Sequence, residues 1–338
     1  MRVGKSNYAR PIPKKLSFIS DSTGSISCII EQQTLWTIKQ GKLQRPALPA
    51  FSDHRLLSFF DTAQARFRQE VYESLNQRGF TKATRIAKDL ADIHPTRLIT
   101  YLLYEIRKRS HGGMLIFLKD ANSKEMRPQL EEWFRFKVKG SNDALWSVEK
   151  VRQETQLRFN EYHLNDREQS FTAEQMRGFN QLHETVEQVR LRFHSVSEFI
   201  ADLAMVDGAV VLSDKLQLVG FGAVVMPKEE PEEVTRIELN VLPPGSAEPG
   251  YTEKVRTDSW GTRHRAAIRL CQATEGALAI AISQDGDITA FMREGSQVLN
   301  WEMGIPLYTP FDPKGIPKPP LNAKDPPGTP VKIQAWVI

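Results

Sequence analysis

Residues 261–267 read Gly-Thr-Arg-His-Arg-Ala-Ala and place three cationic or titratable side chains directly before an apolar run. Arginine suits phosphate binding, because its guanidinium stays charged and can donate two parallel hydrogen bonds. The spacing of the apolar residues predicts a helix that begins at about Ala266, whose first N–H groups and positive dipole end would add to the same site. The stretch therefore predicts an anion site built from Arg263, His264 and Arg265, although a solvated helix start would show the same pattern.

A carboxylate precedes a β-branched run in residues 206–212, which read Val-Asp-Gly-Ala-Val-Val-Leu. Such a run predicts a buried strand. An acidic side chain at the start of the strand could hold a divalent cation beside a substrate phosphate, which makes Asp207 a candidate metal ligand. Because Asp-Gly is also an ordinary turn signal, a simple turn is the alternative.

A second apolar run, residues 277–282, ends in the polar turn Ser283-Gln284-Asp285-Gly286. This run also predicts a buried strand followed by a turn. If the two strands belong to one sheet, their ends could bring Asp207, the arginine cluster and the polar turn together at its edge.

Taken together, these stretches resemble the diadenylate cyclase domain, the nucleotide-binding domain of the DNA integrity scanning proteins and of membrane-bound cyclic di-AMP synthases. Asp207-Gly208-Ala209 matches the D-G-A motif of that family, and residues 261–267 match its G-T-R-H-R-x-A motif. The turn that begins at Ser283 is similar to its S-E-x-x-G-type turn. The similarity covers about residues 202–298 and continues more weakly back to residues 111–117. Residues 220–225, Gly-Phe-Gly-Ala-Val-Val, are similar to a divergent branch of the family that is proposed to act as sensors.

The resemblance implies an α/β fold in which a mixed β-sheet is flanked by helices, and it implies a chemistry. In active relatives two ATP molecules on facing domains exchange 3′-hydroxyl attacks on each other's α-phosphates, which yields cyclic di-AMP and pyrophosphate. Arginine and a divalent metal suit this reaction, because negative charge develops on the transferring phosphate. The chain would accordingly bind Mg²⁺ or Mn²⁺ and form a homo-oligomer.

Carried onto this sequence, the resemblance gives a role to each motif residue. Asp207 would hold the metal or orient the attacking hydroxyl. Gly208 and Ala209 would contact adenosine through their backbone. The remaining positions would bind phosphate or face the same site; they are Gly261, Thr262, Arg263, His264, Arg265, Ser283 and Gln284.

Gln284 is a departure from the family pattern, because active members carry Glu after the serine. A neutral amide is a poorer ligand than a carboxylate for a hard divalent cation, although Asp285 or Asp287 could compensate. The sequence therefore leaves two main functions open. One is a cyclase that condenses two ATP molecules, and the other is a sensor that binds ATP, cyclic di-AMP or a related nucleotide without turnover. A purely structural interaction protein is a third alternative.

Composition and the absence of several motifs argue against other classes of protein. The 338 residues are 40% hydrophobic and 25% charged, enough for a core in two domains or in one with long additions. The net charge of +4 gives no indication of nucleic-acid binding. No P-loop, H-E-x-x-H or G-x-S-x-G motif occurs. We expect a cytoplasmic protein, because Cys28 and Cys271 lack metal-ligand spacing, residues 1–15 lack the core of a signal peptide, and no stretch approaches the ~20 apolar residues of a membrane span.

Patterning predicts four regions along the chain. Residues 1–50 are a β-rich region with strands at 16–19, 25–31 and 34–39, because turn residues separate short apolar runs. Residues 51–94 are helical, with Asp53 as an N-cap and Gly79 as a stop. Residues 95–300 form the nucleotide-binding domain. Residues 301–338 form an arm, since nine of the twenty prolines lie between positions 306 and 330.

Further elements are predicted inside these regions. They are helices at 81–92 and from Pro95, strands at 114–118, 133–138 and 235–241, and a hairpin over 212–222. Residues 172–204 predict two helices, the second capped by Ser195 or Ser197. The acidic, proline-bearing insert 227–249 is expected to form a mobile lid or a dimer contact.

Overall fold

The structure, a computed structural model, describes residues 16–20, 26–30, 33–39, 42–44, 51, 53–80, 95–165, 173–238, 251–258 and 260–304. The strands are β1 (Leu16–Ser20), β2 (Ile26–Ile30), β3 (Gln33–Lys39), β4 (Lys42–Gln44), β5 (Gly113–Leu118), β6 (Phe134–Arg135), β7 (Val138–Asn142), β8 (Ala209–Ser213), β9 (Leu218–Val225), β10 (Glu233–Glu238), β11 (Tyr251–Arg256), β12 (Ala277–Ile282), β13 (Ile288–Glu294) and β14 (Gln297–Glu302). The helices are α1 (His54–Ser58), α2 (Asp61–Gln77), α3 (Pro95–Lys108), α4 (Met126–Trp133), α5 (Ala144–Asn165), α6 (Ala173–Leu203) and α7 (Thr262–Ala273).

The N-terminal strands form an antiparallel sheet in the order β1-β2-β3-β4. This confirms the β-rich opening, in which the strand β4 was not predicted. Cys28 of β2 is buried, whereas Phe18 of β1 is largely exposed.

The main sheet has ten strands and is mixed. Nine strands follow the order β11-β10-β14-β13-β12-β5-β8-β9-β6, and β7 also pairs with β9. Two neighbouring pairs, β5 with β8 and β10 with β14, are parallel, and the other pairs are antiparallel. The prediction of an α/β protein with a mixed sheet and flanking helices is confirmed at this level.

Helices cover both faces of the sheet centre, which explains why β5, β8 and β12 read as continuous apolar runs. Alternate residues of each strand point into different cores. Leu115 and Phe117 pack with helices α1, α3, α5 and α6, whereas Met114 and Ile116 pack with α4 and α7. The central strands of the sheet are therefore packed against helices on both faces.

Several helix boundaries follow the sequence signals. Asp53 caps α1 by accepting a hydrogen bond from the backbone N–H of Arg55, and Gly79 ends α2 with a φ of 77°. The single helical pattern predicted here is interrupted at residues 59–60, so it forms α1 and α2. Helix α3 begins at Pro95 as predicted, and its apolar stripe is buried.

The predicted division of residues 172–204 is wrong, because α6 is one helix of 31 residues. Ser195 does not cap a helix; its hydroxyl donates to the carbonyl of Leu191 in the preceding turn. Ser197 is fully buried inside the same helix. Serine at a helix interior can satisfy its hydroxyl in this way, so the residue type alone does not mark a boundary.

The other predicted strands differ in extent. The hairpin is confirmed as β8 and β9. Residues 133–138 do not form one strand, because Trp133 ends α4 and β6 is only two residues long. The strand predicted over 235–241 corresponds to β10, Glu233–Glu238, and residues 239–241 lie outside the described residues. The helix predicted at 81–92, the later part of the insert 227–249 and the proline-rich arm after residue 304 lie outside the described residues. Among the described helices, none is both long and apolar enough to cross a bilayer.

Candidate anion-binding site

One end of the main sheet gathers the predicted motifs. Gly113, the first residue of β5, pairs with Ile282, the last residue of β12. Strand β8 runs parallel to β5, with Leu115 opposite Val210, so it also begins at this end. The residues that precede β5 and β8 and those that follow β12 therefore meet at one sheet end. These are Gly112, Asp207, Gly208, Ser283 and Gln284.

Arg263 reaches this sheet end and packs against Gly112. A Cβ atom placed on Gly112 would lie 3.1 Å from Nη1 of Arg263, 3.2 Å from the backbone nitrogen of Gln284 and 2.9 Å from the carbonyl oxygen of Ile282. Gly112 also has a φ of 71°, a conformation that favours glycine. The absence of a side chain at Gly112 thus lets the Arg263 guanidinium lie between the start of β5 and the turn after β12.

Helix α7 begins at Thr262, one turn earlier than predicted. Gly261 is its N-cap and offers no side chain, and the first helical hydrogen bond runs from the N–H of Arg265 to the carbonyl of Gly261 at 3.1 Å. The prediction was tied to the first apolar residue, but the exposed first turn of a helix need not contain one. The N–H groups of residues 262–264 are consequently part of the helix start and lack intrahelical acceptors.

The two arginines of the motif have different surroundings. Arg263 has no ion-pair partner in the described part of the chain, whereas Nε of Arg265 lies 2.9 and 3.1 Å from the carboxylate oxygens of Glu230. The hydrogen bond to Glu230 raises the pKa of Arg265 above its ordinary value. Residues two apart on a helix also point about 200° apart, so the two side chains serve different neighbours. Arg263 is the free cation of the pair.

His264 is packed among aromatic rings. Its ring centroid lies 5.4 Å from that of Trp260 and 6.0 Å from that of Phe291. Burial lowers the pKa of His264; the charge of Asp287 opposes this effect and that of Arg263 adds to it. The ring centroids of Trp260 and Phe291 lie 5.1 Å apart, so Trp260 packs against the sheet.

The residues of the D-G-A motif have separate environments. Asp207 is exposed, while Ala209 is fully buried in β8 opposite Ala223. Gly208 has a φ of 115°, and a Cβ atom on it would lie only 2.5 Å from the carbonyl carbon of Gly222. The glycine therefore allows the backbone before β8 to cross close to β9, and only Asp207 presents its side chain to solvent.

The turn after β12 is closed by Ser283. Its Oγ accepts a hydrogen bond from the N–H of Asp287 at 3.0 Å, and its own N–H donates to the carbonyl of Asp287 at 2.8 Å. Gln284 is exposed beside it. No group of three or more His, Cys, Asp or Glu side chains able to hold a metal occurs among the residues that the structure describes. The predicted metal role of Asp207 stays a prediction.

Three contributors to this site were not predicted as such. Glu230 was not singled out, Gly222 was noted only as part of residues 220–225, and Gly112 was noted without its contact to Arg263. The Gly-x-Gly spacing of residues 220–222 was a usable signal for a close backbone approach. Glu230 lies in the acidic run 228–233, in which sequence alone does not indicate which carboxylate meets an arginine.

Comparison with known proteins adds no assignment: no protein-family model matches the sequence, and no curated protein matches it. The functional argument consequently depends on the residues at this sheet end.

The buried ring of His264 predicts a pH dependence of stability. Because its pKa lies below the ordinary 6.5, the unfolded chain binds a proton that the folded chain does not, so the free energy of unfolding should fall as pH drops below about 6.5. We expect His264→Phe, which suits the aromatic neighbours, to reduce the difference in stability between pH 7.5 and 5.5 in urea titrations. His54→Gln, at a side chain 88% exposed, is the control. An unaltered pH dependence in His264→Phe would contradict the lowered pKa of the partly buried imidazole.

Proposed function

We propose that this chain is a nucleotide-binding domain of the diadenylate cyclase-like type and that it senses a nucleotide without turning it over. The observation that carries the proposal is the Arg263 guanidinium, which lies over Gly112 beside the backbone of Gln284 and lacks a carboxylate partner in the described structure. It lies at the start of α7, where N–H groups and the helix dipole favour an anion. A phosphate bound there would accept hydrogen bonds from both.

The motifs support a nucleotide as the source of that phosphate. The Gly-Thr-Arg-His-Arg-Ala-Ala stretch and the Asp-Gly-Ala stretch both resemble the nucleotide-binding motifs of the family, and both lie near the same sheet end. The mixed sheet covered by helices on both faces is compatible with the fold that the resemblance implies. The cytoplasm fits this proposal, because nucleotides are available there and the free thiols of Cys28 and Cys271 stay reduced.

The surroundings of Asp207 favour sensing over catalysis. Mg²⁺ and Mn²⁺ prefer several oxygen ligands, commonly carboxylates. Gln284 offers a neutral amide, and the hydroxyl of Ser283 already accepts a hydrogen bond within its turn. Metal stabilisation matters most as charge develops in the transition state, so a weakly held metal would impair turnover more than binding.

Arg263→Ala is the direct test. We expect it to weaken the binding of ATP and of cyclic di-AMP by about 10- to 150-fold, or about 1.5–3 kcal/mol, the scale of a charge-assisted hydrogen bond. Isothermal titration calorimetry measures the affinity. Arg265→Ala is the matched control on the same helix turn, and we expect less than about threefold loss because Glu230 already pairs with that guanidinium.

A thermal melt of Arg263→Ala shows whether weaker binding comes from the lost contact or from unfolding of the variant. If folded Arg263→Ala binds both nucleotides as tightly as the native chain, Arg263 is not part of the site. If the native chain binds neither nucleotide, the proposed function is wrong.

A cyclase is the second candidate, favoured by the position of Asp207 at the sheet end that Arg263 reaches. In that case two domains would face each other in a homo-oligomer, and Asp207 would hold Mg²⁺ or Mn²⁺. Incubation with ATP and Mn²⁺ followed by mass detection of cyclic di-AMP tests it. Turnover that rises in Gln284→Glu and disappears in Asp207→Asn would establish the cyclase. If neither the native chain nor Gln284→Glu makes product, nucleotide sensing is the function that the test supports.

A further inference from the structure

The ion pair between Arg265 and Glu230 is held in place beside the start of α7. The side chain of Glu230 is only 14% exposed, whereas that of Arg265 is 48% exposed. Hydrogen bonds to backbone carbonyls hold the loop of Glu230 against the segment before α7. The N–H of Thr257 donates to the backbone carbonyl of Glu232 at 3.0 Å, and its hydroxyl donates to the backbone carbonyl of Pro231 at 2.8 Å. A carboxylate is thus fixed next to an anion site, where it cancels the charge of one of the two arginines.

A buried polar side chain without a partner lies in the strand pair β13–β14. Asn300 is fully buried, and neither its amide nitrogen nor its amide oxygen has a hydrogen-bond partner in the described structure. It lies opposite Phe291 in the β13–β14 register, and the ring of Phe291 contacts Trp260 and His264 at the first turn of α7. Buried amides normally have a protein group or an ordered water as a hydrogen-bond partner, so Asn300 is an unsatisfied polar group in the sheet next to Phe291.

We propose that Glu230 adapts the site to a phosphodiester, as found in a cyclic dinucleotide, in preference to a nucleoside triphosphate. This inference rests on the proposed function and names its ligand class. The positive charge that remains near the phosphate is the full charge of Arg263 plus about half an elementary charge from the helix dipole. This total of about one and a half charges is closer to the single charge of one phosphodiester than to the several charges of a triphosphate. A triphosphate carries several charges, and it gains no net attraction from Arg265 because Glu230 neutralises that guanidinium.

The test compares cyclic di-AMP with ATP, both in EDTA so that no metal masks the phosphate charges. We expect the native chain to bind cyclic di-AMP more tightly than ATP. Glu230→Gln frees the charge of Arg265 and should raise the affinity for ATP about five- to tenfold, while the affinity for cyclic di-AMP changes by less than about twofold. ATP gains more than cyclic di-AMP because it carries more negative charges to interact with the freed guanidinium through screened solvent.

Two further variants make the test specific. Glu229→Gln removes the same charge one residue earlier, at an exposed side chain that does not pair with Arg265, and should alter neither affinity by more than about twofold. In the double variant Glu230→Gln/Arg265→Ala the gain for ATP should disappear, because the freed guanidinium is its cause.

The outcomes separate this inference from the function on which it rests. If the native chain binds both nucleotides through Arg263 but prefers ATP, or if Glu230→Gln changes both affinities equally, the nucleotide site stands and the role of Glu230 is wrong. If neither nucleotide binds to the native chain or to Glu230→Gln, both proposals are wrong.

Discussion

Replacing Gly208 by alanine should lower the free energy of unfolding by about 2–6 kcal/mol. One part is backbone strain, because a φ of 115° is a conformation that a residue with a side chain rarely adopts, which costs about 1–3 kcal/mol. The other part is steric, because the new methyl group would lie 2.5 Å from the carbonyl carbon of Gly222 and 2.8 Å from the nitrogen of Ala223. Backbone cannot move aside as a flexible side chain can, and overpacking adds about 1–3 kcal/mol.

Urea denaturation of Gly208→Ala beside Gly140→Ala measures this effect. Gly140 lies in β7 with no atom within 4 Å of an added Cβ and no positive φ, so its replacement should be nearly neutral. Equal stability of the two variants would show that the close approach of the chain before β8 to β9 does not occur. A large difference would mean that the glycine of the Asp-Gly-Ala motif is required by the fold, whatever the ligand.

Replacing Asp53 by alanine should lower the free energy of unfolding by about 3 kcal/mol. The Asp53 carboxylate is almost fully buried and accepts four hydrogen bonds: from the backbone N–H of Arg55 at 2.8 Å, from Arg55 Nε at 3.0 Å, from Arg55 Nη2 at 2.6 Å and from Trp301 Nε1 at 2.9 Å. Its removal leaves the Trp301 N–H unpaired in the core and the Arg55 guanidinium without its counter-ion. Breaking a buried pair costs about 3–5 kcal/mol, and the lower figure applies because Arg55 is 24% exposed.

The same carboxylate should contribute to acid denaturation. Burial raises the pKa of Asp53, but the hydrogen bonds from Arg55 and Trp301 outweigh burial, so the pKa lies below the ordinary 3.8. Its stabilising contribution is therefore complete above about pH 4 and is lost as pH falls through the lowered pKa. Asp61→Ala, at the exposed start of α2, is the control, with an expected change of about 0.3–1 kcal/mol. If Asp53→Ala were no less stable than Asp61→Ala, the buried connection between α1 and β14 would be refuted.

The sequence was sufficient where local chemistry determines structure. The strand Ala277–Ile282 is apolar at every position because it is buried on both faces of the sheet, and that pattern is visible without coordinates. Asp53 could be predicted as an N-cap from its residue type and position. The common sheet end of Asp207 and Arg263 was predicted only on the condition that the two apolar strands share one sheet, since the spacing between them contains no information on strand order.

The features that escaped prediction depend on contacts between distant segments. Whether Arg265 is free or neutralised is decided by Glu230, 35 residues away, and an acidic run gives no indication of which carboxylate makes the pair. The continuity of α6 was missed because serine also occurs inside helices. Ser195 donates its hydroxyl to the carbonyl of Leu191 one turn earlier, and the hydroxyl of Ser197 is buried without a hydrogen-bond partner in the described structure. Gly112 reads as a turn until the position of Arg263 over its backbone is known.

Helix α6 is a long, continuous helix that ends next to the sheet end of the candidate site. Its 31 unbroken residues form a rod about 46 Å long, and its last residue, Leu203, stands four positions before Asp207. Near that end, Nε of Arg109 lies 2.7 Å from the carboxylate of Asp202. This ion pair connects the C-terminal end of α6 to the segment that leads from α3 into Gly112. A rod pivoting there by about 5° would sweep its far end through about 4 Å, because an uninterrupted helix bends little over its length. A displacement too small to disturb the sheet would thus be magnified at the opposite end of the helix.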